Sequence, residues 1–285
     1  MQCLAHLVKE LTPSKMPIPL SDSSANLFKL AKAMKEMTAE TKQRVQNTFD
    51  DYNRTGKTYH TMSALHSLAQ YWAENEIIIE RAAKEEAEKN GPQWKPDLYD
   101  EDSIGEFFAE RDVARIMHDQ TLIPMHRFSS IVMLYSTVER ELLRLVENLE
   151  KVHGPQKLKW KDIRTGGGML GQISKYCEVF FKFRLVDCSN YNDVTELQKI
   201  RDCIVHGLGD VSLSNDKDFL VKLHKKRREF FVTPLDDICI EEECIKQFIQ
   251  EIWSFFVSVF TSLKWKIAPI WQKNKPEKVF EKLKK

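Results

Sequence analysis

The sequence predicts an all-α protein, an antiparallel helical bundle with an additional N-terminal helical region. Three observations carry this expectation. Phe128, Ile131, Tyr135, Val138, Leu142, Leu145, Leu149 and Val152 recur at alternating three- and four-residue steps, which is the period of one helix face sustained over about seven turns. Only 10 glycines occur in 285 residues, and strand-like alternation of β-branched residues is rare. Near the C-terminal end, Cys244, Phe248, Ile252, Phe255, Val259 and Leu263 form one face that Ile249, Phe256 and Phe260 widen. A helix apolar most of the way round belongs at the centre of a bundle.

The elements follow in order. Residues 1–24 hold Pro13, Pro17, Pro19 and a Ser-rich SDSS, and read as an irregular lead-in. Ser24 can cap a helix over 25–35, with Leu27, Leu30, Ala31 and Met34 on one side. Thr38 opens a second helix to about Tyr52, and residues 53–57, with Gly56, read as a turn. A long helix then runs over about 58–90 to Gly91-Pro92. Its second half, ERAAKEEAEK, is charged and alanine-rich and suits a surface. Residues 91–105 form a loop with an acidic run, and helix resumes over 105–120. The seam helix comes next and stops at Gly154-Pro155; other apolar helices follow it, which favours packing in a bundle over an intermolecular coiled coil.

Residues 155–165 are basic, with Lys157, Lys159, Lys161 and Arg164. The run Gly166-Gly167-Gly168-Met169-Leu170-Gly171 satisfies G-x-G-x-x-G. It is no dinucleotide fingerprint, because LKWKDIRT ahead of it is not a buried strand, and no P-loop, because Gln172-Ile173 replace Lys and Ser/Thr. It reads as a loop feeding a helix over 170–184, with Ile173, Tyr176, Cys177, Phe180 and Phe181 inward. A helix over 193–206 carries the stripe Val194, Leu197, Ile200 and Ile204, and Gly207 and Gly209 stop it. Residues 208–232 look irregular or partly helical and hold the cluster His224-Lys225-Lys226-Arg227-Arg228. A final helix covers 240–264, and the chain ends in a lysine-rich, mobile tail. The expected division is a regulatory or partner-binding region over 1–120, a bundle over 121–272 and a basic tail over 273–285.

The net charge of +1 hides an asymmetry: residues 1–120 carry −5 and the remainder +6. The basic part suits a polyanion. No C-x-x-C occurs and no Cys/His spacing fits zinc, so neither metal nor cofactor is expected, and the six cysteines read as buried free thiols of a reducing compartment. The N-terminus lacks a signal-type apolar run, and the most apolar stretch, 252–263, is too short to span a bilayer. A cytoplasmic protein without a membrane partner is expected.

The helix over 193–206 holds Arg201, Asp202 and His206 in the order R-D-x-x-x-H. A fixed cation thus precedes by five residues the side chain that titrates near neutrality. This segment resembles the R-x4–6-H motif of the HEPN superfamily, in which Asn, Asp or His commonly follows the arginine. "IVMLYSTVERELLRLVENL" is similar to the family's long first helix, which often carries a Tyr and a Glu, here Tyr135 and Glu139. The resemblance covers about residues 125–270. It implies a HEPN-like bundle and a metal-independent endoribonuclease of the toxin–antitoxin or antiphage-defence kind. It also implies a homodimer whose motifs face across a cleft, with tRNA or mRNA as substrate and an antitoxin or regulatory protein meeting residues 1–120. In toxins paired with a nucleotidyltransferase antitoxin, tyrosine stands two residues after the histidine; here that position is Leu208, which puts such control in doubt.

The chemistry is consistent with the residues. RNA is cut without metal when its own 2′-OH attacks the adjacent phosphate, given a base, an acid and positive charge on the developing phosphorane. His206 supplies the first or second, and Arg201 the third. Five residues at 3.6 per turn set the two roughly 140° apart on a helix, whereas Asp202 and His206 are i,i+4 neighbours, so Asp202 either fixes the imidazole tautomer or holds Arg201. Lys157, Lys159, Lys161, Lys225, Lys226, Arg227 and Arg228 are the candidate RNA-binding cations. Two other functions fit the same residues: a non-catalytic HEPN-like scaffold binding RNA or protein, and an assembly protein whose N-terminal half recruits a partner.

Overall fold

The computed structural model describes residues 39–89 and 121–283, with only the backbone over 39–55, 83–84, 86–89 and 282–283. The helix expected over 25–35, the acidic loop and the helix expected over 105–120 lie outside the described residues. The described part is all-α apart from one two-stranded hairpin.

The first helix, α1, spans Ala39–Lys89 without a break. The expected turn at 53–57 does not form. Gly56 costs a helix only about 1 kcal/mol, no proline interrupts the stretch, and a Cβ at Gly56 would meet nothing within 4 Å. The chain divides into two compact units, Met1–Gly56 and Lys57–Lys285. In the second unit, Met62, Leu65, Ala69 and Trp72 of α1 join the same core as the later helices. Thr61 Oγ1 donates to Glu141 Oε2 at 2.8 Å, and Arg127 bonds Glu76 of α1 at 3.1 Å. α1 thus buries an apolar face against helices that lie beyond the division expected at residue 120.

The seam helix, α2, spans Ile123–His153, with Pro124 in its first turn, where a missing N–H costs nothing. Ile131, Tyr135, Val138, Leu142, Leu145 and Leu149 are buried as spaced; Val152, beside the terminus, is exposed. Helix α3 (Gly168–Phe181) packs on α2. Helix α4 (Tyr191–Gly207) packs on both α2 and α6 (Glu242–Ser262). Val194, Leu197, Ile200 and Ile204 face the core, and α6 buries the expected face, with Leu263 at its end only half-buried.

Residues 208–240 are more ordered than the sequence suggests. A 3-10 turn (Val211–Leu213) leads to α5 (Lys217–Lys226). Strands β1 (Phe230–Val232) and β2 (Ile238–Ile240) then pair antiparallel, Phe231 opposite Cys239. The expected mobile tail is folded in its described part. Helices α7 (Pro269–Lys273) and α8 (Pro276–Leu283) each open on a proline. Trp271 packs against Tyr59 and His66, and Phe280 meets Trp72 edge-on. Among the described residues, no helix is long and apolar enough to cross a membrane.

Candidate functional site

Helix α4 runs against α2, and Arg201 lies at their seam. Its guanidinium carbon stands 5.5 Å from the centre of the Tyr135 ring, and Nη1 donates to Asp202 Oδ1 at 2.7 Å. Burial opposes the Arg201 charge, but the Asp202 hydrogen bond and the Asp202 and Glu139 carboxylates outweigh it and raise its pKa. Burial also raises the Glu139 carboxyl; Arg201 opposes that rise and Asp202 adds to it. The Tyr135 phenol is pushed well above its usual value by burial first, then by Glu139 and Asp202. Tyr135, Glu139, Arg201 and Asp202, from two helices, thus form one electrostatic cluster around a single cation.

His206 lies apart from that cluster. It is exposed, one turn beyond Asp202, with no side-chain partner among the described residues. Of the two roles open to Asp202, its side chain takes the contact with Arg201, not one with the imidazole. The helix ends right after His206. The left-handed residue there is Leu208 (φ 53°), not a glycine, and its N–H bonds Ile204 O at 2.9 Å. Gly209 follows at φ 96°, where any Cβ would meet the Phe128 ring at 2.8 Å. Ile238 N donates to Gly209 O, and Val211 N to Asp236 O. The hairpin therefore holds the segment just after the motif, which the sequence reading did not foresee. Its signal was present: two short apolar runs, FFV and ICI, split by the turn residues TPLDD.

The candidate RNA-binding cations separate. Lys157 and Lys161 are exposed, and Lys159 reaches Glu150 at 3.6 Å. Lys225 and Arg228 are also exposed. Arg227 differs from the other candidate cations: it is 4% exposed, and its guanidinium is turned inward. Nε donates to Glu196, Nη1 to Glu251, and Nη2 to both Asp193 and Glu251, all within 3.0 Å. It also lies over the Phe248 ring. Lys226 is bound to Asp193 and Glu196. These two cations neutralise partly buried carboxylates, and Arg227 commits four of its five guanidinium N–H groups to them.

Five cysteines are free thiols among the described residues. Burial pushes Cys177 and Cys244 up to about 12 and Cys203 up to about 11, so they stay protonated. Glu76, Glu80 and Glu242 bring carboxylate oxygens within 4.8 Å of one another. Glu76 pairs with Arg127 and Glu242 with Lys246, so cations already answer two of the three carboxylates. No family model, curated protein or solved structure matches the chain.

Proposed function

We propose that the chain is a metal-independent endoribonuclease of the HEPN kind, cutting RNA by attack of the substrate's own 2′-OH at a composite site of two copies. The observation that carries this reading is the asymmetry of α4. Arg201 is anchored by Asp202 beside the Tyr135 ring, while His206, one turn on, is exposed and uncommitted. A preorganised guanidinium suits a developing phosphorane, and a solvent-facing imidazole is free to move a proton. One copy supplies one histidine, whereas the reaction needs a base and an acid; a second copy supplies the other. The surroundings of His206 suit such a contact, since Val205, Leu208, Leu213 and Leu235 are large apolar side chains exposed to solvent, Leu208 at 86%. Residues 211 and 236 are directly bonded, which brings the last two into one surface. Roles in toxin–antitoxin or antiphage systems, and a cytoplasmic setting, belong to this same proposal.

The test is incubation of the purified chain with total tRNA in EDTA, beside His206→Ala and Arg201→Ala. Cleavage should persist in EDTA, leave a 2′,3′-cyclic phosphate, spare a 2′-deoxy substrate and vanish in both variants. Arg201→Lys should also be poor, since a point charge cannot replace the planar fork, and Asp202→Asn should be milder. Cleavage lost to EDTA and restored by magnesium would sink the reading. A second reading, a non-catalytic scaffold that binds RNA or protein, is favoured by one specific feature: among the described residues no carboxylate orients the His206 ring, and Asp202 is bonded to Arg201. It predicts binding without cleavage.

A further inference from the structure

Resting on that ribonuclease reading, we infer that the RNA strand leaves the Arg201 site along the edge of α4 and crosses the glycine run at 166–168 onto the cationic segment 157–164. The juxtaposition is direct. Gln198 Nε2 donates to Gly167 O at 3.3 Å, and a Cβ at Gly168 would stand 2.5 Å from that Nε2. Gly168 holds φ 59°, so bare backbone lies against the motif helix. Gln198 precedes Arg201 by three residues, about 4.5 Å of helix rise, and Val205 continues the same edge at i+7. The glycine run therefore adjoins α4 one turn before the guanidinium.

The segment leading into that run carries charge with little to neutralise it. Lys157, Lys161 and Arg164 are exposed and form no ion pair among the described residues. Asp162, the only acid between 155 and 168, accepts the Lys159 backbone N–H at 2.9 Å. The glycine surface is open, since a Cβ at Gly166 would meet nothing within 4 Å. The other basic cluster is a poorer path. Lys225 and Arg228 flank Lys226 and Arg227, which are tied to Asp193 and Glu196 in the first turns of α4 and to Glu251 of α6. Mobile cations beside side-chain-free backbone contact phosphates without reading bases. The strand is thus held by its backbone on this side, whatever its sequence.

The test uses the full-length chain on a His206→Ala background, so that RNA survives. Binding of a fluorescein-labelled single-stranded 20-mer RNA is followed by anisotropy across a salt series, with and without Lys157→Ala/Lys161→Ala/Arg164→Ala. Losing three phosphate contacts should make the slope of log K against log salt shallower by about 2, at about 0.7 per contact on single strands, and weaken binding by roughly tenfold or more at low salt. Gly168→Ala, which displaces the Gln198 amide and strains backbone held at φ 59°, should weaken binding several-fold with the slope retained, because the cations remain but their placement is lost. Unchanged urea midpoints confirm that the variants fold. A triple variant with the same slope and a Kd within twofold overturns the path; if the native chain still cuts RNA in EDTA, the ribonuclease reading survives that result. A shallower slope in a chain that never cleaves keeps the path and removes the ribonuclease. No binding of RNA by the parent protein removes both.

Discussion

The Tyr135 hydroxyl is buried without a hydrogen-bond partner among the described residues, and so is the Arg201 Nε beside its ring. A buried hydroxyl left unbonded costs on the order of 1–3 kcal/mol. Tyr135→Phe keeps the ring under the guanidinium and deletes that cost. Its urea midpoint should be equal to or above that of the native chain, with cleavage retained; a loss of cleavage at unchanged stability would mean that the hydroxyl itself acts. Glu139 offers a pH test of the same cluster. Its carboxyl is raised, by burial first, so the folded state binds its proton more tightly than the unfolded chain does. Its contribution to stability is full below the ordinary carboxylate range and is lost as pH rises through the raised value. Glu139→Gln should therefore gain stability relative to the native chain as pH climbs from that range toward neutrality. Denaturation at pH 4 and pH 7 checks this, and a gain confined to pH 4 would contradict it. The sequence made Arg201, Asp202 and His206 legible as a motif and, through the family resemblance, Tyr135 and Glu139 as companions. It did not reveal that Arg201 turns into the α2 seam while His206 turns out, because side-chain commitment depends on the packing partner.

Helices with a long uniform period were legible as elements: α2, α4 and α6 lie close to where their stripes place them. Short elements were not, because three-residue strands such as Phe230–Val232 carry too few alternations to stand out. Arg227 shows how a charge cluster misleads. It follows Leu220 by seven residues and Leu223 by four, the inward stripe of α5, yet its charge suggested a surface. Removing one member of a buried ionic network strands the others, at about 3–5 kcal/mol. Arg227→Ala should therefore shift the urea midpoint strongly, since Asp193, Glu196 and Glu251 lose their shared cation. Lys226→Ala, on a half-exposed side chain, should cost under about 1 kcal/mol. Similar small effects from both variants would show that the network does not hold α4, α5 and α6 together.

At the scale of the whole chain, composition suggests a division where the charge balance changes, near residue 120, and apolar packing from α1 crosses it. Charge asymmetry describes surfaces, and α1 contributes to the core through Met62, Leu65 and Trp72, each essentially buried. Full burial of such a side chain is worth roughly 1.5–3 kcal/mol, and a whole domain is typically stable by only about 5–15 kcal/mol. Deleting residues 1–120 removes all three, along with Thr61, which donates to the fully buried Glu141, and Glu76, which engages Arg127. Residues 121–285 alone should then melt without a cooperative transition and expose the apolar faces of α2 and α6. Deleting only residues 1–56 spares every one of those contacts. That shorter chain should melt cooperatively, with a Tm within a few degrees of the full chain. Circular dichroism melts of the two truncations decide the matter. A sharp, near-native transition in residues 121–285 would support a boundary at 120 and make the contacts of α1 dispensable, whereas loss of structure on removing residues 1–56 would mean that the first unit supports the second.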